Sequence, residues 1–263
     1  MYFDEKCIVI TGATSGIGLS LLKALFKAGN CYICAVGRDD KKLNKIQRSF
    51  GGRVRTISSD LRQKEAVDTL FDTLTTPTED WPGRIDIFIA NAGIGYYEAF
   101  GQEGWDHIHD IYAINVFSPL YALGKLMRLP EGNRQFVIVA SALAKAPIAG
   151  YALYSSTKGA LDSFAAAFLR EKHKNISLTV AYPVAIKTAF YKRGAQEMKV
   201  PLIRQSILEN TKAILKAIRE KKTHVYPSPL LRLGMALNHI FPVFQIYQSA
   251  EAKRFKRYTQ PRD

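Results

Sequence analysis

The chain has 263 residues, of which 47% are hydrophobic and 23% are charged. It carries 37 Lys and Arg residues against 23 Asp and Glu residues, which gives a formal net charge of +14. This composition is typical of a globular protein and excludes disordered, collagen-like and coiled-coil chains. The positive charge favours anionic partners, a group that includes phosphorylated cofactors, nucleic acids and acidic lipids.

Short apolar segments alternate with longer amphipathic ones along the chain. Near-continuous runs of Val, Ile and Ala indicate strands that are covered on both faces. The repeated alternation predicts an α/β fold, a doubly wound parallel sheet of about seven strands with helices on both faces, in a single domain spanning 1–263. Strands are predicted at 7–11, 32–36, 54–58, 85–90, 136–140, 177–181 and 224–226, and helices at 19–28, from 39 through 46, at 64–74, at 105–127 with an interruption at Pro119, at 154–172 and at 207–219.

The three cysteines all lie in apolar, strand-like segments. An odd number without a secretory signal indicates reduced thiols, so we expect a cytoplasmic protein. Cys31 and Cys34 have CxxC spacing, but no second Cys or His pair is near enough to complete a metal site, and none is predicted. No run of 18 apolar residues occurs, which argues against a simple membrane span.

A glycine-rich loop, Thr11-Gly12-Ala13-Thr14-Ser15-Gly16-Ile17-Gly18, follows the first predicted strand. Glycines allow a tight turn and close approach of a ligand to the backbone. The helix that begins in this loop directs its free N–H groups and the positive end of its dipole to the same place. The loop therefore predicts a binding site for a pyrophosphate group.

A pair of residues that suits proton transfer begins a later helix. Tyr154 and Lys158 are four residues apart and share one helix face. A phenol has a pKa of about 10, and a neighbouring ammonium group is expected to lower it. Tyr154 is thus a candidate general acid or base, and Ser141, at the end of the fifth strand, is placed to polarise the same oxygen. Asn115 is a poor helix former inside a long helix, so it needs polar partners there.

The G-x-x-x-G-x-G spacing of the loop resembles that of the short-chain dehydrogenase/reductase family, and the resemblance extends to about Tyr226. Asn115, Ser141, Tyr154 and Lys158 match the catalytic tetrad of that family. The resemblance implies that Asn115 bends its helix and holds a relay water, and that Lys158 also holds the nicotinamide ribose. It places the cofactor against Gly12, Thr14, Ser15, Gly16, Ile17, Gly18, Arg38, Asp60, Leu61, Asn91, Ala92, Gly93, Tyr154, Lys158, Pro183, Ile186 and Thr188.

The chain departs from the family pattern at one position of the Pro183–Thr188 segment, which closes over the nicotinamide in the family. Val184 stands where the family usually has glycine. A side chain at this position is expected to shift the backbone beside the nicotinamide ring.

The end of the second strand distinguishes NADP(H) from NAD(H), because an Arg there accommodates a 2′-phosphate and an acidic residue binds the ribose hydroxyl. Arg38 comes first after the strand, and Lys41 and Lys42 add positive charge. Asp39 is best explained as the cap of the next helix. These residues favour NADP(H); NAD(H) is the alternative if Asp39 or Asp40 turns inward instead.

The substrate side is predicted from the segment 188–206, which is polar, basic and irregular, and which corresponds to the lid of the family. Apolar residues within it and before Tyr154 predict a hydrophobic ketone or secondary alcohol as substrate. These residues are equally compatible with an ordinary core.

The C-terminal extension, about 229–263, combines apolar residues near helical spacing with a basic cluster of Lys253, Arg254, Lys256 and Arg257. Such a composition is typical of a peripheral membrane contact. The alternative is a helix that packs on the body of the protein or on a partner subunit, and a homodimer or homotetramer is expected.

These observations predict an NADP(H)-dependent oxidoreductase that interconverts a hydrophobic ketone and a secondary alcohol, with Tyr154 as general acid and base. A catalytically silent NADP-binding sensor or scaffold is the alternative, and the intact tetrad argues against it. No nucleic-acid-binding motif accompanies the positive charge, so no nucleic-acid partner is expected.

Overall fold

Parallel strands form one sheet in the computed structural model, which describes residues 2–101, 103–130, 132–185, 201–238 and 240–259. The strand order is β3-β2-β1-β4-β5-β6-β7, and every neighbouring pair is parallel. The strands are β1 Cys7–Thr11, β2 Tyr32–Gly37, β3 Val54–Ser58, β4 Ile87–Ala90, β5 Arg134–Val139, β6 Ile176–Ala181 and β7 His224–Val225. The predicted doubly wound, Rossmann-type sheet is therefore confirmed.

The helices connect these strands and cover both faces of the sheet. They are α1 Gly16–Ala28, α2 Asp40–Phe50, α3 Lys64–Thr75, α4 Trp105–Tyr112, α5 Ser118–Arg128, α6 Ala152–Phe168, α7 Ile207–Arg219, α8 Pro229–Leu237 and α9 Val243–Thr259. Short 3₁₀ turns lie at Gly51–Arg53 and Ala142–Ala144.

The long helical segment is interrupted at a different place from the predicted one. A π-helical turn, Ala113–Phe117, joins α4 to α5, and Pro119 lies in the first turn of α5. A proline in the first turn of a helix is tolerated, because its missing N–H would have no partner there in any case. The predicted interruption at Pro119 is thus wrong, and the irregular turn surrounds Asn115 instead.

The core consists of two apolar layers, one on each face of the sheet. Alternate residues of β1 point to opposite faces, so that Val9 belongs to one layer and Ile8 and Ile10 to the other. Residues of α3, α5 and α6 cover the first face and residues of α1 and α7 the second. Because the chain leaves β1 in one direction to β2 and β3 and later returns to β4, a crevice forms at the carboxyl ends of β1 and β4.

The cysteines are divided between the two layers. Cys7 and Cys34 lie in one layer and Cys31 in the other, and all three are free and buried. Burial raises the pKa of Cys7 and of Cys34 to about 12, so both thiols are protonated at neutral pH.

The C-terminal helices pack on the body of the protein. Tyr247 and Phe255 of α9 contact a cluster that contains Tyr97 and Tyr151. The buried carboxylate of Glu251 accepts a hydrogen bond from the backbone N–H of Leu202 at 2.8 Å. One face of the extension is therefore held by the protein itself. No helix in the described part of the chain is long and apolar enough to cross a bilayer.

Candidate active site

The glycine loop is built so that only glycine fits at its key positions, which lets a ligand approach the backbone of the loop. Gly12 and Gly16 have φ values of +66° and +57°, a region that favours glycine. A Cβ atom on Gly18 would lie 2.4 Å from the carbonyl oxygen of Gly12. Since α1 begins at Gly16, its first N–H groups face the space above the loop. These features fit the pyrophosphate of a dinucleotide, as the sequence predicts.

The segment after β4 is tied directly to this loop. Asn91 donates side-chain hydrogen bonds to the carbonyl oxygens of Thr11 at 2.9 Å and Gly12 at 3.3 Å. In return, the Thr11 hydroxyl accepts from the backbone N–H groups of Asn91 and Ala92 at 3.0 and 2.9 Å. Asn91 and Ala92 thus fix the spacing between β1 and β4, where the crevice opens.

The end of β2 presents a cationic group to the same crevice. Arg38 lines it, and Asp39 is used as the cap of α2, accepting from the backbone N–H of Lys42 at 3.1 Å. Asp60 lies 3.6 Å from Arg38 and also binds the guanidinium of Arg62, which holds the pKa of the Asp60 carboxyl below its usual range. Two arginines therefore share one carboxylate at this end of the site.

Sequence reasoning missed Arg62, which lines the crevice next to Leu61. It is held from its other side by Asp110 of α4. The pairing of Gly37 with Ser58 brings the ends of β2 and β3 together, and this explains how Arg62 comes near Arg38. The sequence alone does not show that β2 and β3 are neighbours, so it does not place Arg62 beside Arg38.

One cavity of about 660 Å³ joins the nucleotide end to the predicted catalytic residues. Of the predicted cofactor residues, those that line it are Gly12, Thr14, Ser15, Gly16, Ile17, Arg38, Leu61, Asn91, Ala92, Gly93, Tyr154, Lys158 and Pro183. Gly18 and Asp60 support this lining from behind, through the contacts given above. Ile186 and Thr188, and most of the predicted lid, lie outside the described residues.

Asn115 occupies the middle of the π turn and is almost fully buried. Its side chain accepts from the N–H of Ile94 at 2.9 Å and donates to the carbonyl of Ile94 at 2.8 Å. It also donates to the hydroxyl of Thr157 at 3.0 Å, and this hydroxyl donates to the carbonyl of Tyr154 at 2.7 Å. Thr157, which the sequence did not single out, connects Asn115 to the helix that carries Tyr154.

Tyr154 is partly buried and is hydrogen-bonded to Ser141. Burial raises the pKa of the Tyr154 phenol to about 12, and the hydrogen bond with Ser141 lowers it only in part. The pKa of Tyr154 is therefore raised, not lowered as the sequence predicts, because removal of the phenolate from water outweighs the hydrogen bond with Ser141. The phenol is protonated at neutral pH and is ready to donate.

Lys158 is buried directly below Tyr154 on α6. Its ammonium nitrogen donates to the carbonyl oxygen of Val139 at 3.1 Å and lies 5.6 Å from the centre of the Tyr154 ring. Burial lowers the pKa of Lys158 to about 8, because the charged form loses its hydration. Gly93 leaves the space in front of it open, since a Cβ there would lie 2.9 Å from the Asn115 Oδ1 atom and 3.7 Å from the Lys158 Nζ atom.

The far end of the cavity is apolar. Of the apolar residues predicted to form a wall before Tyr154, Ala142, Leu143 and Tyr151 line the cavity, whereas Ala144 and Ile148 do not. Val184, the departure from the family pattern, is buried and lines the cavity next to Pro183. The remaining wall comes from the C-terminal extension, whose lining role the sequence did not predict: Leu230, Leu231, Leu233, Gly234, Leu237, Val243, Phe244 and Tyr247.

The arrangement combines a protonated, hydrogen-bonded phenol, a buried amine and an apolar chamber, all open to a phosphate-binding loop. Within the described ranges, no group of three or more His, Cys, Asp or Glu side chains is placed to hold a metal ion. The chemistry that these side chains offer is proton transfer to or from an oxygen atom that sits beside Tyr154 and Ser141.

Residues 6–199 match the family model described as short chain dehydrogenase. The chain is 28% identical over 189 residues, 71% of its length, to a cyclic-di-GMP-binding biofilm dispersal mediator protein of Escherichia coli, 75% of which is covered. It is also similar to the structure of a short-chain dehydrogenase from Sphingobium yanoikuyae in complex with NADPH, with a TM-score of 0.74 and 21% identity, covering 98% of this chain and 97% of the other. A short chain dehydrogenase/reductase from Burkholderia phymatum in complex with NAD gives 0.78 and 17%, covering 100% and 98%.

Proposed function

Because the chain belongs to the short-chain dehydrogenase family of oxidoreductases, we propose that it uses NADP(H) to interconvert a hydrophobic ketone and a secondary alcohol. The observation that carries this proposal is the single cavity that connects the glycine loop with the Tyr154 hydroxyl. A nucleotide that lies on the loop and reaches toward Tyr154 brings its reactive end next to a proton donor.

Different residues of the chain have different roles in the reduction. When bound, the reduced nicotinamide supplies a hydride to the carbonyl carbon of the substrate. Tyr154 donates its phenolic proton to the carbonyl oxygen, and Ser141 holds this oxygen and the phenol in line by hydrogen bonds. Lys158 lies behind the ring and stabilises the negative charge that the proton leaves on Tyr154. In oxidation the same proton returns to Tyr154.

The choice of NADP(H) over NAD(H) rests on Arg38 and Arg62. Both line the cavity beyond the end of β2, where the 2′-phosphate of NADP(H) would lie. Asp39 is the nearest acidic residue that could bind the ribose hydroxyl of NAD(H). Its side chain instead caps α2 and forms an ion pair with Lys42 at 2.7 Å. The charge balance at this position favours a phosphate.

The substrate class follows from the walls beyond Tyr154. Leu143, Tyr151, Leu231 and Phe244 surround this part of the cavity with apolar side chains. A bulky apolar carbonyl compound would displace water from these walls, and its own apolar surface would gain about 25 cal/mol for each Å² that the cavity buries. A small polar ketone would gain much less.

A homo-oligomer, dimer or tetramer, is proposed from apolar side chains that are exposed on another part of the protein. Trp105 and Phe117, on the rod formed by α4, the π turn and α5, are 79% and 55% exposed. Large apolar side chains that are exposed on one element are candidates for contacts between proteins. The free and buried thiols support a reducing, cytoplasmic compartment.

A ketone panel tests the proposed reaction. The purified protein is mixed with NADPH or NADH and with ketones of increasing size and apolarity, and the absorbance of the reduced nicotinamide is followed. We expect consumption of NADPH to be fastest with the bulky apolar ketones and slower with NADH. Tight NADPH binding without turnover of any carbonyl or alcohol would indicate the silent sensor instead.

A further inference from the structure

The exposed surface of the C-terminal extension is strongly apolar. Its large side chains, which we call the apolar tail surface, are Leu230, Leu233, Leu237, Ile240, Phe241 and Ile246. Spacings of three and four place the three leucines on one stripe of α8. Ile240 and Phe241 follow between α8 and α9 and are 75% and 61% exposed, and Ile246 on α9 is 67% exposed. So many large apolar side chains exposed on one short extension mark an interaction site.

This surface continues into the cavity. Leu230, Leu233 and Leu237 are exposed to solvent and also line the cavity. Leu231 and Gly234, which lie beside this stripe on α8, are buried, so the helix is seated on the body. The three leucines therefore form the rim of a mouth that leads from the apolar tail surface toward Tyr154.

Basic side chains accompany the apolar ones on α9. Ile246, Ala250, Lys253 and Arg257 follow one another at spacings of four, three and four, so they share one stripe of the helix, and all are exposed. Lys256 is exposed next to this stripe. Arg254 is different, because it pairs with the buried Glu251 at 2.7 Å on the side that faces the body.

The extension carries a net positive charge. Residues 229–263 contain six Lys and Arg residues and two acidic residues, and between 230 and 250 the only Lys, Arg, Asp or Glu is Arg232. An apolar surface followed by exposed basic groups suits the interface of a bilayer with anionic headgroups, where apolar burial and charge attraction add.

We propose that the apolar tail surface docks on an anionic lipid bilayer, with Lys253, Lys256 and Arg257 at the headgroups and the cavity mouth toward the acyl chains. A hydrophobic substrate then enters the cavity from the bilayer. The entry step rests on the proposed function; the docking step does not.

A second copy of the chain is a less suitable occupant of this surface. In a two-fold symmetric pair the same patch meets itself, so Lys253 and Arg257 would face the like charges of the partner across the interface. Such a pair would also cover the rim at Leu230 and Leu233 and close the mouth. A bilayer does neither.

Cosedimentation with vesicles tests docking without cofactor or substrate. Vesicles of phosphatidylcholine alone are compared with vesicles that also contain phosphatidylglycerol, at low and at high salt. We expect stronger binding to the anionic vesicles and a decline of this preference with salt, because screening shortens the range of the charge attraction. Failure of the wild-type protein to bind either kind of vesicle overturns the proposal, as does a tail-dependent dimer that forms in place of membrane binding.

Two variants separate the apolar and basic contributions. The basic variant combines Lys253→Glu, Lys256→Glu and Arg257→Glu. It should reduce binding to anionic vesicles by a factor on the order of 10² or more, since each basic group contributes about 1 kcal/mol. Ile240→Ser, Phe241→Ser and Ile246→Ser together should reduce binding to both kinds of vesicle. Two control variants change exposed residues elsewhere on the protein and should bind vesicles as the wild type does. The control for the basic variant combines Lys23→Glu, Lys27→Glu and Lys212→Glu. The control for the apolar variant combines Phe100→Ser and Leu208→Ser.

Substrate entry is tested with the best ketone of the panel, either dissolved in buffer or confined to anionic vesicles. The six substituted residues do not line the cavity, so turnover of the dissolved ketone should be unchanged in both variants. Turnover of the vesicle-bound ketone should fall at least tenfold. Equal turnover of the vesicle-bound ketone by wild type and variants would overturn entry from the bilayer, whereas absence of any turnover would instead count against the proposed function.

Discussion

The ammonium nitrogen of Lys158 lies 5.6 Å from the centre of the Tyr154 ring; Lys158 is buried and Tyr154 is partly buried. Burial acts on the two groups in opposite directions, raising the pKa of Tyr154 to about 12 and lowering that of Lys158 to about 8. Each shift reflects the cost of removing the charged form from water. The pair is therefore set up with the proton on Tyr154, which is the state that reduction of a carbonyl requires.

Replacement of Tyr154 by Phe removes this proton and keeps the ring. Turnover should fall by a factor on the order of 10² or more, the usual contribution of general acid and base groups. The Kd of NADPH should change little, because the phenol hydroxyl is not needed for the contacts of the glycine loop. Steady-state kinetics and cofactor titration measure the two quantities, and retention of most of the activity would exclude Tyr154 as the proton donor.

The lowered pKa of Lys158 predicts a specific pH dependence of stability. In the unfolded chain Lys158 keeps its proton up to about pH 10.5, whereas in the folded protein it loses this proton near pH 8. Between these values the unfolded state binds more protons, so the free energy of unfolding rises with pH on account of this group. Below pH 8 the folded protein bears the full cost of the buried charge.

The variant Lys158→Met isolates this effect, because it lacks the titrating group and keeps the other ionisable residues. Urea denaturation of both proteins without cofactor, at about pH 7 and about pH 10, gives the difference between their free energies of unfolding. Wild type should gain stability relative to the variant at the higher pH. A difference that is the same at both pH values would show that Lys158 titrates normally in the folded protein.

Much of the fold could be predicted from the sequence because its signals are local. The strand Cys7–Thr11 and the helix Ile207–Arg219 have the predicted bounds. The strand is a buried apolar run, and the helix begins with a capping box in which Ser206 and Glu209 bond each other's backbone N–H groups. Asp39 also caps α2 as predicted.

The remaining differences arise from contacts between distant parts of the chain. The π turn at Asn115 depends on partners in other segments, Ile94 and Thr157, and low helix propensity alone does not specify it. Likewise, the apolar spacing of the extension predicts helices but not which side is buried. That side is decided by Tyr97 and Tyr151, which are far away in sequence.

Arg38 provides the test of cofactor preference. Arg38→Ala removes charge-assisted hydrogen bonds to a 2′-phosphate, which contribute about 1.5–3 kcal/mol each. The preference for NADPH over NADH should therefore fall roughly 10- to 150-fold, while NADH binding changes little. Lys41→Ala removes the same charge from an exposed position that does not line the cavity and should leave the preference nearly intact. Equal losses for both cofactors would instead assign Arg38 to the adenine or to the loop.

The close packing of the glycine loop predicts the effect of a single methyl group. In Gly18→Ala the new Cβ would lie 2.4 Å from the Gly12 carbonyl oxygen and 2.6 Å from the Asn91 side chain. Stability should fall by about 1–3 kcal/mol, the usual cost of overpacking, and NADPH binding should weaken as the loop shifts. Gly52→Ala, at a position with no described atom within 4 Å, is the control and should unfold as the wild type does. Normal stability and cofactor affinity of Gly18→Ala would contradict the packing of the loop.

The rim of the cavity should select substrates by their apolar character. Leu233 is exposed but lines the cavity, so Leu233→Asp places a charge where a bulky apolar ketone would enter. Loss of about half the transfer energy of a leucine, roughly 1–1.5 kcal/mol, predicts a rise of about tenfold in the KM for such a ketone. The KM for a small polar ketone and the Kd of NADPH should stay within about twofold, because neither ligand depends on the rim.

Leu208→Asp changes an equally exposed leucine on α7 outside the cavity and should leave all three quantities as they are. Steady-state kinetics in vesicle-free buffer measure these effects apart from membrane docking. Equal changes in KM for the bulky and the small ketone would show that the rim does not contact the substrate.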